Sequence, residues 1–75
     1  MGIVDECITM LDEISKRTYI DSAYTKEYPG PVDYYSIFLV TEDGEIELIN
    51  GLYWDEIDHI FNVVCAYILK SREDY

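Results

Sequence analysis

Apolar and polar residues follow one period at the two ends of the chain and another in its middle. Apolar side chains recur every three or four positions near both ends, which predicts two amphipathic helices. Between the two ends, some stretches are rich in β-branched and aromatic residues, and in others apolar and polar residues strictly alternate. Both patterns predict strands. The predicted order is helix, strand, strand, strand, helix, over residues 3–17, 18–26, 33–41, 45–50 and 52–70.

Two short segments connect the predicted strands. Residues 28–31 contain two prolines and a glycine, which do not fit inside a β-ladder and predict a loop. Asp43-Gly44 is a strong signal for a tight hairpin. These elements predict an α+β fold, a three-stranded antiparallel sheet with both helices packed on one face, in the order α-β-β-β-α. At 75 residues the chain forms a single compact domain, residues 1–75.

A two-residue turn at Asp43-Gly44 also predicts the hairpin register. It places Glu42 opposite Glu45. Each residue before Glu42 on the first strand then lies opposite the residue equally far after Glu45 on the second strand. The core face of the hairpin then consists of Ile37, Leu39, Thr41, Ile46 and Leu48. The other face is apolar at one end and acidic at the turn, with Phe38, Val40, Ile49, Glu42, Glu45 and Glu47.

The second predicted helix is apolar over most of its circumference. One stripe consists of Trp54, Ile57, Phe61, Val64 and Ile68, and further apolar residues widen it. A helix of this kind packs on two sides, against the sheet and either the first helix or another subunit. The pattern therefore leaves open a homodimer formed through residues 57–69.

Charge narrows the choice of partner. Between Lys26 and Lys70 lie nine carboxylates and no Lys or Arg, where average composition would place about five basic residues. The net charge is −11, from sixteen acidic and five basic residues. Nucleic acids and anionic membranes are repelled by such a field, whereas Arg- and Lys-rich protein surfaces are attracted. We predict a basic protein partner, with no direct contact to nucleic acid or membrane.

The acidic hairpin is the main candidate for the binding surface. Carboxylates two residues apart on a strand stand roughly 6–7 Å from each other, a spacing similar to that of successive phosphates in a nucleic-acid strand. Tyrosines next to carboxylates suit arginine, which stacks on the ring and pairs with the acid. The predicted partner-binding residues are Glu42, Asp43, Glu45, Glu47, Asp33, Tyr34, Tyr28, Asp55 and Asp58. The alternative is a solvated edge whose charge prevents sheet-to-sheet aggregation.

Nothing in the sequence is typical of catalysis or of metal binding. His59 with Asp55 one turn earlier is more simply a surface pair, and the spacings of Cys7 and Cys65 match no zinc or redox motif. Residues 41–45 lack the spacing of a calcium loop. We therefore predict a protein that is not an enzyme and uses no cofactor or metal.

The cysteines and the N-terminus bear on location. Cys7 and Cys65 lie in apolar stretches, which favours two reduced thiols over a disulfide. The N-terminus is acidic where a secretory signal would be basic, and the longest apolar run, residues 63–69, is too short to span a membrane. These features predict a cytoplasmic protein.

In size, acidity, absence of a cysteine scaffold and absence of catalytic residues, the chain resembles the small phage-encoded inhibitors of bacterial defence, the anti-CRISPR and DNA-mimic proteins. The resemblance is one of type, with no shared motif. It implies a non-enzymatic inhibitor that occupies a basic, nucleic-acid-binding surface of an effector or nuclease in the host cytoplasm. Two alternatives remain: an immunity protein or antitoxin against a basic nuclease or toxin, and a structural homodimer whose acidity serves solubility only.

Overall fold

The computed structural model describes residues 2–31 and 33–73. It contains two helices and three strands in the predicted order, which confirms the α+β fold. The strands form one antiparallel sheet in the order β1-β2-β3, with β2 in the centre. The elements are α1 (Ile3–Ser15), β1 (Ile20–Tyr28), β2 (Tyr34–Thr41), β3 (Gly44–Leu52) and α2 (Trp54–Glu73).

The core lies between one face of the sheet and the two helices. Ile37 and Leu39 alternate along β2 and are fully buried, so the helices cover the face to which these odd-numbered residues point. The Tyr67 hydroxyl on α2 donates to Asp12 Oδ1 on α1 over 3.3 Å and joins the helices near their C-terminal ends. The buried apolar residues are Cys7, Leu11, Ile20, Ile37, Leu39, Leu48, Leu52, Ile57, Ile60, Val64 and Ile68.

The predicted turn between β2 and β3 is wrong by one position. Glu42 and Asp43 are the turn residues, and Thr41 pairs with Gly44, which begins β3. Gly44 has φ +120°, a conformation that favours glycine. The Thr41 hydroxyl donates to the Gly44 carbonyl over 2.7 Å and accepts from the Asp43 N–H over 3.2 Å. This buried threonine therefore holds the turn and places it one residue earlier than the Asp-Gly pair alone indicates.

The observed register differs from the predicted one by two residues near the turn. Glu45 pairs with Val40 and Glu47 with Phe38. Near the turn, a shift of two residues keeps the side chains on their predicted faces, because strand side chains alternate with a period of two. Further along, a register shift between Ile37 and Phe38 pairs Ile49 with Ile37, so Ile49 packs against the core and its predicted place on the other face is wrong. The predicted opposition of Glu42 and Glu45 is therefore wrong, and neither acid of β3 faces another carboxylate across β2.

Helix α2 starts later than predicted, and its first aromatic residue is not in the core. Residue 52, the predicted start of the helix, is the last residue of β3 instead. Trp54 is the first residue of α2 and is 76% exposed, so its predicted place in the apolar stripe is wrong. The buried stripe begins at Ile57 and includes Ile60, and Phe61 is half-buried against it.

The two cysteines do not form a disulfide with each other. Cys7 is buried, Cys65 is half-buried, and both are free thiols. Burial raises the pKa of both thiols, and the Glu6 carboxylate adds to this effect at Cys7.

Within residues 2–31 and 33–73, no helix is long and apolar enough to cross a bilayer.

Candidate functional site: the open face of the sheet

The face of the sheet opposite the helices is the largest surface that collects the predicted binding residues. Alternation along the strands and the observed pairing define its members. We call this surface the open face. It consists of Ser22, Tyr24, Lys26 and Tyr28 of β1, Tyr34, Ser36, Phe38 and Val40 of β2, and Glu45 and Glu47 of β3.

Two aromatic pairs cross the open face between β1 and β2. The rings of Tyr24 and Phe38 stack with their centroids 5.5 Å apart and an angle of 12° between their planes. The rings of Tyr28 and Tyr34 stack at 5.0 Å and 13°. All four side chains are half-buried although no helix covers them. Each stacked pair adds roughly 0.5–1.5 kcal/mol of stability beyond the area that it buries, and the pairs leave an ordered aromatic surface facing outward.

Carboxylates stand beside the aromatic pair nearest the turn. Glu45 and Glu47 are exposed on β3, next to Val40 and Phe38 respectively. Partial burial raises the pKa of the Tyr24 hydroxyl, and the nearby Glu45 carboxylate raises it further. Tyr24 therefore remains neutral beside the charge of Glu45.

Lys26 shows that the aromatic surface accepts a cation. Its Nζ lies 5.2 Å from the centroid of the Tyr28 ring, on the face of the sheet that carries the Tyr28–Tyr34 pair. A cation within about 6 Å of a ring centroid is attracted by the electrons of the ring. Lys26 is the basic residue of the open face, so the field near Glu45 and Glu47 has no local counter-charge.

Glu42 and Asp43 extend the acidic region at the end of the sheet. Both are exposed in the turn between β2 and β3, and the Glu42 N–H donates to the Tyr19 carbonyl over 3.2 Å. This bond ties the turn to the segment that leads into β1. We call Glu42, Asp43, Glu45 and Glu47 the acidic end of the open face.

Tyr28, Tyr34 and Asp33 lie at the opposite end of β2. Thr41 is seven positions after Tyr34 along β2, which corresponds to roughly 23 Å. Asp33 is exposed, and its Oδ1 accepts from the Gly30 N–H over 3.3 Å, so its carboxylate supports the Pro-rich loop. The tyrosines share the open face with the acidic end, but Asp33 serves the loop.

Asp55 and Asp58 are on the other side of the molecule. Both are exposed on α2, which packs against the covered face of the sheet. Asp55 and His59 line a shallow groove with Val4 and Ile60, between the N-terminal turns of the two helices. The structure does not bring these two aspartates together with the acidic end.

Ion pairing and metal binding do not account for the acidic residues. Lys16 Nζ forms an ion pair with Asp12 Oδ2 at 3.2 Å, on the surface of α1. No carboxylate between Lys26 and Lys70 is part of it. Over the same residues, no group of three or more His, Cys, Asp or Glu side chains could hold a metal ion.

Sequence reasoning missed Tyr24 and Phe38 as members of the binding surface. The spacing along the sequence already indicated this for β1. Tyr24, Lys26 and Tyr28 are two residues apart, so their side chains lie on the same face of the strand. Assigning that face requires the pairing of β1 with β2, and the loop between them lacks a turn motif that defines a register.

Comparison with known proteins gives no relative from which a function could be transferred: no protein-family model, no curated protein and no solved structure matches this chain. The geometry and charge of the open face therefore carry the functional interpretation.

Proposed function

We propose that this protein is a non-enzymatic binding module that occupies a basic, nucleic-acid-binding surface of a partner protein. The observation that supports this proposal most directly is the composition of the open face. Exposed carboxylates that pair with no basic side chain of the described residues stand beside stacked aromatic rings, on a sheet face that no helix covers. Such a surface combines charge for attraction with rigid apolar area for retention.

The acidic end acts first during association. Its field accelerates the approach of a basic groove, and this effect falls as salt is added. Glu45 and Glu47 lie two residues apart on β3, about 6.6 Å along the strand, and so offer a short row of negative charge in place of a phosphate backbone. The aromatic pairs then contact the partner and slow dissociation.

The proposed biological setting is inhibition. A protein whose nucleic-acid groove is filled cannot bind its substrate, as when a phage-encoded anti-CRISPR or DNA-mimic protein blocks a defence effector. An immunity protein or antitoxin would use the same surface against a co-encoded basic nuclease or toxin. Identification of the partner, a defence nuclease or a co-encoded toxin, distinguishes these two settings.

Charge reversal at the acidic end tests the proposal. The variant Glu42→Lys/Glu45→Lys/Glu47→Lys changes the net charge from −11 to −5, since three reversals add six charges. Wild-type protein should release labelled DNA from at least one purified nuclease in a panel of Arg- and Lys-rich bacterial effectors, measured by gel shift. We expect the variant to lose this activity, because its acidic end now repels the groove, with an unchanged far-UV circular dichroism spectrum.

A control with the same net charge separates local from global electrostatics. Glu13→Lys/Glu27→Lys/Asp58→Lys also reaches −5, and none of its three exposed positions belongs to the open face. This control should still release DNA. Equal activity of wild type and the acidic-end variant would remove the acidic end from the mechanism. Failure of the wild type against every member of the panel would overturn the proposal.

A further inference from the structure

Three side chains from the three strands form one row across the open face. Tyr24 on β1 pairs with Phe38 on β2, and Phe38 pairs with Glu47 on β3. The row therefore places a phenol, a phenyl ring and a carboxylate side by side in that order. Glu45 lies next to this row, opposite Val40.

The two sides of the Phe38 ring have different neighbours. Tyr24 stacks on one side, with the ring centroids 5.5 Å apart and their planes within 12° of parallel. The other side looks toward β3, where Glu47 is the cross-strand neighbour, with Cβ atoms about 4.5–5.5 Å apart. A planar cation that entered from solvent along this side would meet the ring face and the carboxylate together.

The second aromatic pair on the same face contacts a cation through one of its rings. Lys26 Nζ lies 5.2 Å from the Tyr28 ring, which stacks on Tyr34. No basic residue of the open face lies beside Phe38 and Glu47, because Lys26 is engaged at the other end. The row from Tyr24 to Glu47 therefore offers a partner's cation a stacked ring and, in addition, a carboxylate.

We propose that Phe38 and Glu47 form a receptor for one arginine side chain of the basic partner. The guanidinium stacks on the uncovered side of the Phe38 ring and forms two parallel hydrogen bonds with the Glu47 carboxylate. Arginine is preferred over lysine because its group is planar, is more weakly hydrated and presents donors in a fork. Tyr24 supports the ring by stacking on its other side. This inference rests on the proposed function and specifies which residue of the partner the open face recognises.

Peptide titration followed by NMR tests the receptor. The probes are the acetylated amidated pentapeptide Gly-Arg-Gly-Arg-Gly and its lysine counterpart, added to 15N-labelled full-length protein at low salt. We expect the arginine peptide to bind about two- to fivefold more tightly than the lysine peptide. Its chemical-shift changes should centre on the backbone of Phe38 and Glu47.

Matched variants assign the preference to the row. Phe38→Leu and Glu47→Gln should each reduce the ratio of arginine to lysine affinity to about one. Trp54→Leu and Glu13→Gln change an exposed aromatic residue and an exposed acid on the helices, and should leave the ratio unchanged. Glu47→Gln alters only a surface charge, so it remains a decisive variant if Phe38→Leu fails to fold.

The possible outcomes separate the receptor from the proposed function. If both peptides bind equally, or if both row variants retain the arginine preference, the receptor is wrong while the acidic module stands. If neither peptide binds wild-type protein at low salt, both the receptor and the proposed function are overturned.

Discussion

At the scale of the residue, Tyr24 and Glu45 are the two groups of the open face whose charge states are linked. The Tyr24 ring stacks on Phe38. Partial burial disfavours the phenolate and the nearby Glu45 carboxylate disfavours it further, so the pKa of Tyr24 lies above its ordinary value. Sequence reasoning identified Glu45 as a binding residue but did not identify Tyr24, because the two residues lie on strands that are not neighbours in the sheet.

The pKa of Tyr24 supplies a prediction about Glu45. Replacing Glu45 with Gln removes the negative charge, so the pKa of Tyr24 should fall toward its ordinary value while the contribution of burial remains. Because the folded-state pKa is raised, the stabilisation from neutral Tyr24 is complete below the unfolded value of about 10 and is lost as the pH rises through the folded pKa. NMR titration of 13C-labelled tyrosine rings measures the shift, with Glu13→Gln as control. An unchanged Tyr24 titration in Glu45→Gln would contradict the influence of the Glu45 charge on Tyr24.

At the scale of the element, the β2–β3 hairpin shows why the predicted faces were right near the turn although the predicted turn was wrong. The apolar alternation assigned Leu39 to the core and Glu47 to the other face, as observed. A period of two cannot distinguish registers that differ by two residues. The Thr41 hydroxyl and the positive φ of Gly44 decide between these registers, and both depend on the three-dimensional turn.

Gly44 tests this description of the hairpin. Gly44→Ala should lower the free energy of unfolding by about 1–2 kcal/mol, because φ +120° is unfavourable for any residue with a Cβ. Glu42→Ala changes an exposed residue of the same turn without positive φ and should have an effect within about 0.5 kcal/mol. Urea unfolding followed by circular dichroism measures both. Equal stability of Gly44→Ala and wild type would mean that the chain adopts another turn.

At the scale of the whole molecule, charge acts in opposite directions on folding and on binding. Sixteen acidic residues against five basic ones repel one another in the compact state. Added salt screens this repulsion and should stabilise the fold, whereas the same screening should weaken association with a basic partner. A small domain has little stability to spare, so a charge balance this unfavourable for folding is consistent with selection for binding.

Thermal unfolding in sodium chloride tests the effect on folding. The melting temperature of the wild type should rise between low salt and 0.5 M, because about 0.5 M salt shortens the screening length to well below 10 Å. The variant Glu42→Gln/Asp43→Asn/Glu45→Gln/Glu47→Gln has a net charge of −7, since four charges are removed from −11. It should melt higher at low salt and respond less to added salt. A wild type that does not respond to salt would show that the charges are too dispersed to repel appreciably.

Sequence alone determined the secondary-structure order, the covered face of the sheet and the negative field, because periodicity and charge are local properties of the chain. It also identified the acidic end, together with Tyr28 and Tyr34, as candidate partner-binding residues. The tertiary structure decided which of the marked residues share a surface: it placed Asp55 and Asp58 on the helices, assigned Asp33 to the loop, exposed Trp54, and joined Tyr24, Phe38 and Glu47 into one row. Those outcomes depend on strand pairing and on where each helix meets the sheet. Contacts between distant parts of the chain set both, and the pattern of neighbouring residues does not encode them.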